Sequence, residues 1–237
     1  MRMWRSVPLC GAIALMALQA AATAAPLSVV TVSAPAINCV FETDCTLTVT
    51  DSVGTIAVPG LSSGVARLQS RTFPGKAGAP GAGKTAYEYR IDMSTAVTNA
   101  DAACVTDVAI DFGPVAKLQY NGAGPTDDVY VLAIGGVGKI GLQSAEQTGN
   151  TITFTLSQPI CAGQSANAAN TTFFFGLASA SEPRAITARV GIAGDEPTNV
   201  GARAPNHGRH PVPPVVLDQP AGQREQTGTM PTAAPNR

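Results

Sequence analysis

Residues 78–85 read GAPGAGKT, which matches the phosphate-loop pattern G-x-x-x-x-G-K-[ST] to the letter. That chemistry needs a buried strand leading into the loop and a helix leaving it. Backbone N–H groups then cradle phosphate, the lysine reaches the outer phosphates and the hydroxyl holds magnesium. Here Lys84 and Thr85 run straight into AYEYRIDM, whose period of two predicts a strand. With no helix to supply a dipole, the run is expected to be a long flexible hairpin loop. The acidic strand end VAID at 108–111 imitates a second nucleotide motif, but FGP follows it inside an alternating block. Asp111-Phe112-Gly113 spells a kinase tripeptide without anything else of a kinase around it.

Histidine narrows the field. His207 and His210 both fall in the Pro-rich C-terminal stretch, so the predicted domain has no histidine for a nucleophile–base pair or a His-ligated metal. Carboxylate chemistry is the remaining enzymatic route, because glycoside hydrolysis needs two opposed acids. Glu42, Asp44, Glu88, Asp92, Asp107, Asp111 and Glu146 are the candidates, and no pair stands out along the chain. Sugar-stacking platforms would fall to Tyr87, Tyr89, Tyr120 and Tyr130, because Trp4 lies in the leader.

The turn NGAGPTDD at 121–128 gathers the side-chain oxygens of Asn121, Asp127 and Asp128. Oxygen-rich, Gly-containing turns can hold calcium, although Ala123 and Pro125 stand where a full calcium loop would carry acids. Weak calcium binding is one expectation for this turn, and an ordinary hairpin is the other. No further cofactor is expected.

The first residues set the compartment. Arg2 and Arg5 precede a short apolar run from Leu9 to Leu18, and Ala22-Thr23-Ala24 supplies small residues for cleavage. This reads as a secretory signal peptide over 1–25, too short for a membrane span. Cys10 follows Leu9 and precedes most of the apolar run, which argues against a lipid anchor. The chain carries 15 Lys and Arg against 16 Asp and Glu. Loss of Arg2 and Arg5 shifts the balance further toward acid, which speaks against nucleic-acid binding.

Four cysteines remain beyond the leader: Cys39, Cys45, Cys104 and Cys161. An even number in an exported chain predicts two disulfides. Three pairings are possible, and Cys39–Cys45 with Cys104–Cys161 keeps each bridge within one local unit. Zinc is disfavoured because paired C-x-x-C knuckles are missing.

The elements that must position these residues read as strands throughout. LSVVTVS at 27–33, TLTVTD at 46–51 and VARLQSRTF at 65–73 alternate, and Pro35 is expected to end the first of them. NCVFETDC is read as a tight disulfide loop, and no amphipathic helix is expected. In AYEYRIDM, Tyr87, Tyr89, Ile91 and Met93 share one face. Glu88, Arg90 and Asp92 share the other, with Glu88 and Arg90 expected to be a solvated surface pair. The block from Cys104 to Cys161 is the predicted centre. Within it Val129 to Ile134 is apolar on both faces, and 151–157 alternates strictly. TTFFFGLAS and AITARVGI complete about ten strands.

The prediction is an all-β fold, a two-sheet antiparallel sandwich or jelly roll over 26–195, with a disordered Pro-rich tail over 196–237. The expected function is a secreted or periplasmic, bacterial module with a binding or structural role at the cell exterior. Its partner would be an extracellular ligand or surface component. The alternative is a carboxylate-dependent extracellular hydrolase on a jelly-roll fold.

Overall fold

The computed structural model describes residues 23–99, 103–122 and 124–208. The predicted signal peptide falls outside these residues except for its last three, and so does the tail beyond Gly208. The elements in chain order are β1 (Ala25–Pro26), β2 (Val29–Ser33), α1 (Ala34–Phe41), β3 (Thr50–Ile56) and β4 (Leu61–Ser63). Next come β5 (Ala66–Pro74), β6 (Thr85–Asp92), β7 (Val97–Thr98), β8 (Cys104–Asp111) and β9 (Val129–Ile134). The last five are β10 (Leu142–Thr148), β11 (Thr151–Cys161), β12 (Phe175–Ser179), β13 (Pro183–Ile192) and β14 (Thr198–Pro205).

They form two six-stranded sheets and a small two-stranded one. Sheet A has the order β1-β10-β11-β8-β13-β14 and sheet B the order β2-β9-β12-β6-β5-β3. Pairing is antiparallel except where β2 lies parallel to β9 at the edge of sheet B. The predicted all-β sandwich is therefore the observed class.

The main core lies between the sheets. Ile152, Phe154 and Leu156 of β11 point inward from sheet A, as do Val108 and Ile110 of β8. Tyr87, Tyr89 and Ile91 of β6 meet them from sheet B. Tyr89, Phe154 and Phe175 pack at centroid separations of 6.1, 6.1 and 5.0 Å. The two tyrosines remain compatible with burial because their hydroxyls donate to the carbonyls of Ser181 and Arg203, each at 2.7 Å.

Both predicted disulfides are present. Cys104 and Cys161 sit directly opposite each other in the β8–β11 register. Cys39–Cys45 ties α1 to the segment that leaves it.

Three expectations are corrected. The segment read as strand end plus disulfide loop contains α1, which is only two turns long. Its buried Ile37, Val40 and Phe41 have helical spacing, Ser33 caps it by accepting from the Ala36 N–H, and Pro35 sits in the first turn. Proline ends a strand and starts a helix equally well, so Pro35 fits both elements. Residues 46–49 alternate as a strand would, with Leu47 and Val49 facing the protein, but no strand pairs with them and β3 begins only at Thr50. The domain also runs past 195. Strand β14 pairs with β13 from Val190↔Thr198 to Pro183↔Pro205. Val200, Ala202 and Ala204 are buried there, and their small side chains made the alternation easy to miss beside the prolines.

Candidate functional site

The two sheets treat their outer faces differently. On sheet A the outward row Thr153, Ala109, Arg189, Asn199 runs in register across β11, β8, β13 and β14. On sheet B the outward row runs Asp51, Arg71, Glu88, Gly176, Tyr130, Val30 across β3, β5, β6, β12, β9 and β2. Above that second row sits a smaller apolar cluster. Helix α1 contributes Ile37, Val40 and Phe41, and the segment before β9 contributes Tyr120.

Glu88 is buried at 2 % exposure, so the expected solvated pair with Arg90 is not what forms. The period placed Glu88 on the right face, but that face is roofed by residues distant in sequence. Arg90 turns to Asp92 at 2.6 Å. Glu88 Oε1 accepts from the Tyr130 hydroxyl at 3.2 Å, and Oε2 lies 3.9 Å from Arg71 Nη1. Burial raises the Glu88 carboxyl to about 7, against the opposing pull of Arg71 and Tyr130, with Asp51 adding repulsion. Burial likewise holds the Tyr130 hydroxyl well above its ordinary range, so it stays a donor.

Gly176 makes the Tyr130–Glu88 bond possible. It lies between the two in register, and a Cβ there would meet Tyr130 Cζ and Oη at 2.7 Å. The phenol crosses the strand only because no side chain stands in its path.

Arg71 is anchored on three sides. Its Nε donates to Asp51 Oδ1 at 3.1 Å, its Cζ lies 4.4 Å from the Phe174 ring centroid, and Glu88 is its cross-strand neighbour. Gln69 donates to the same Asp51 oxygen at 3.0 Å. Burial opposes ionisation of Asp51, but these hydrogen bonds hold its carboxyl below the usual range.

Arg71, Glu88 and Phe174 line a cleft of about 500 Å³. One wall is α1, with Ala34 and Asn38, continued by residues 45–49. The other is Leu132 and the turn Gly135, Gly136 and Val137. Ile134 and Val137 beside that turn are 64 % and 53 % exposed, so the rim is apolar and open. The lining mixes apolar side chains with polar ones, Asn38, Thr46, Arg71 and Glu88, and concave clefts with a few convergent polar groups are where small molecules bind.

The other expected sites resolve differently. GAPGAGKT is a β5–β6 hairpin loop followed by a strand, as expected, but it is docked rather than loose. The N–H groups of Lys76 and Gly81 donate to the carbonyls of Phe41 and Val40 at the end of α1. Gly81 lies so close to Phe41 that a Cβ would meet the ring at 2.8 Å. The loop thus satisfies helix carbonyls that would otherwise be orphaned.

His207 belongs to the folded domain, which corrects the expectation that both histidines lie in the tail. Its Nε2 lies 3.0 Å from Asp111 Oδ1, and Arg184 bonds the other Asp111 oxygen at 2.8 Å. His210 lies outside the described residues.

In the 121–128 turn, Asp128 faces inward. Its Oδ2 accepts from the Ser28 N–H, the Ser28 hydroxyl and Lys117 Nζ at 2.9–3.0 Å. Burial opposes its ionisation, and these donors hold it below the usual carboxylate range. Asp127 bridges to Leu118 through its backbone, and Asn121 is exposed. Among the described residues no group of three or more His, Cys, Asp or Glu gathers in a metal-binding arrangement.

Of the candidate acids, Glu88 alone among the described residues lines the cleft. Glu42 pairs with Lys76, Asp44 caps Thr46, Asp107 accepts from Thr106, and Glu146 is exposed on β10. All four candidate tyrosines are buried and offer no open sugar platform. Asp51, Arg71 and Phe174 were not singled out from the sequence. The one available signal was the placement of Glu88 on a strand beside VARLQSRTF, which a hairpin brings into register.

No protein family matches the chain, and neither a curated relative nor a solved structure matches it significantly.

Proposed function

We propose that this protein is an exported binding module whose ligand seat is the cleft on the outer face of sheet B. The observation that carries the reading is the buried Glu88 lining an open cleft whose walls carry no other charged side chain than Arg71, with the Arg71 guanidinium beside it. A buried carboxyl with a raised pKa in a cleft, beside a specific charge partner, is a functional-site candidate on physical grounds. Export is supported by the leader and the two disulfides, and no helix among the described residues is long and apolar enough to cross a membrane. The hydrolase alternative calls for two opposed acids around one bond. The neighbour of Glu88, Asp51, is committed to Arg71 and Gln69.

The test is a small-molecule screen by NMR on the disulfide-bonded chain, with Leu47→Trp as a filled-cleft control. Hits are expected to shift the amides of 46–49 and 135–137 in the wild type and to leave the Trp variant unmoved. Hits that map only to other surfaces would overturn the reading.

A further inference from the structure

We propose that the ligand of this cleft is a small carboxylate with an apolar body. Its carboxylate would lie end-on against Arg71, and its body against Leu47, Val49 and Val137. The inference rests on the cleft being the ligand seat.

The first argument is an unfilled edge on Arg71. Its Nε is used by Asp51, and its ring-facing side is used by Phe174. Among the described residues nothing accepts a hydrogen bond from Nη1 or Nη2, and Glu88 Oε2 stands off from Nη1 at 3.9 Å. Two N–H donors on one guanidinium that lines a cleft of mixed polar and apolar residues match the two oxygens of a carboxylate.

The second argument is the orientation of Glu88. The Tyr130 hydroxyl donates to Oε1, so the acid proton of neutral Glu88 belongs on Oε2, the oxygen facing Arg71. A buried acid that keeps its proton can donate to a ligand carboxylate, the role a neutral carboxyl plays in an oxyanion site. Burial places this group at about 7, so the donor form is present at neutral pH and below.

The third argument is charge. Glu88 is faced by Arg71 from β5, Asp51 from β3 and Tyr130 from β9, with Arg90 and Asp92 on its own strand. The walls formed by α1, 45–49 and 135–137 carry no charged side chain. Asp51 is already neutralised by Arg71, so a ligand cation would compete with a residue fixed in its place. A ligand carboxylate becomes the second anion of Arg71, the position ionised Glu88 would otherwise hold.

Binding is then coupled to protonation. Above pH 7 the ligand must recruit a proton to Glu88, so affinity falls about tenfold between pH 6 and pH 8. Calorimetry with hexanoate, hexanamide and hexylamine tests this on the full disulfide-bonded chain. Hexanoate should bind, hexanamide at least about tenfold more weakly, and hexylamine not measurably. Glu88→Gln should retain hexanoate binding and lose its pH dependence. Arg71→Lys, which keeps the charge without the paired donors, should weaken binding about tenfold, and its melting curve shows whether it folds. Equal binding of the amide or the amine, pH-independent binding by the wild type, or full affinity in Arg71→Lys would each overturn the inference. If hexanoate fails while neutral or cationic fragments shift the cleft amides, the ligand class is wrong and the cleft stands. If nothing shifts those amides, both readings fall.

Discussion

Asp111 and Glu88 each meet an arginine, and their surroundings set them apart. Asp111 ends β8, is half exposed at 49 %, and is held by Arg184 and His207 at the rim of sheet A. Glu88 is in mid-strand on sheet B, 2 % exposed, and stands 3.9 Å from its arginine. The shorter contact is the weaker determinant. Water screens the Asp111 cluster, and such pairs contribute about 0–1 kcal/mol. Glu88 has lost its water and gained only one hydrogen bond, so desolvation dominates and its proton is retained. The roof over sheet B makes that difference, and α1 with its disulfide is part of that roof.

The bridges offer the largest contrast. Replacing Cys104 and Cys161 by serine opens a loop with a sequence separation of 57 and is expected to cost about 4 kcal/mol on the chain-entropy account. Replacing Cys39 and Cys45 opens a separation of 6 and should cost about 2 kcal/mol. Denaturant melts of the two double variants give the comparison. The smaller loss should nonetheless be the one that exposes Glu88 and returns its titration toward 4.5.

Burial gives Glu88 a pH-dependent contribution to stability. Folding raises the Glu88 pKa from 4.5 to about 7, so between these values the unfolded chain releases a proton that the native state keeps. Stability from this group is therefore full below pH 4.5, declines as pH rises and levels off above 7. Glu88→Gln should be more stable than wild type at pH 8 by up to about 3 kcal/mol, with the gain fading toward pH 4. Asp111→Asn should change stability by no more than about 1 kcal/mol at pH 8. Equal responses from the two variants would erase the distinction.

Gly176→Ala tests how the buried site is held. The added methyl meets the Tyr130 ring and the Tyr87 carbonyl, both at 2.7 Å, and should cost about 2 kcal/mol. Carbon-detected NMR of the Glu88 carboxyl should show a changed titration, because Tyr130 can no longer reach it. An unchanged titration would mean the tyrosine bond has little influence.

The smallest effect concerns the 121–128 turn. Lys117 supplies the counter-charge that calcium would bring to Asp128. Lys117→Ala should let calcium at about 10 mM raise Tm by a degree or two more than in the wild type, and adding Asp127→Asn should remove the gain. A Tm indifferent to calcium in both backgrounds returns the turn to hairpin chemistry alone.

Much of this protein is local, and that part was legible. Strand alternation in 104–111 and 151–157 follows from a pleat with one face in the core, and the continuous apolar run of 129–134 from burial on both faces; neither needs knowledge of the partner strand. Of the three possible cysteine pairings, the one that keeps each bridge within one local unit is the one that forms. The sequence also indicated that a strand and not a helix leaves Lys84, and β6 begins at Thr85. Tertiary structure decided the rest. Alternation tells which residues share a face but not whether that face is wet, so Glu88 read as solvated. Its burial depends on α1, on residues 46–49 and on Tyr130, which lies 42 positions away in the chain. His207 joined the domain for the same kind of reason: β14 has a partner, and a partner is a property of the folded sheet.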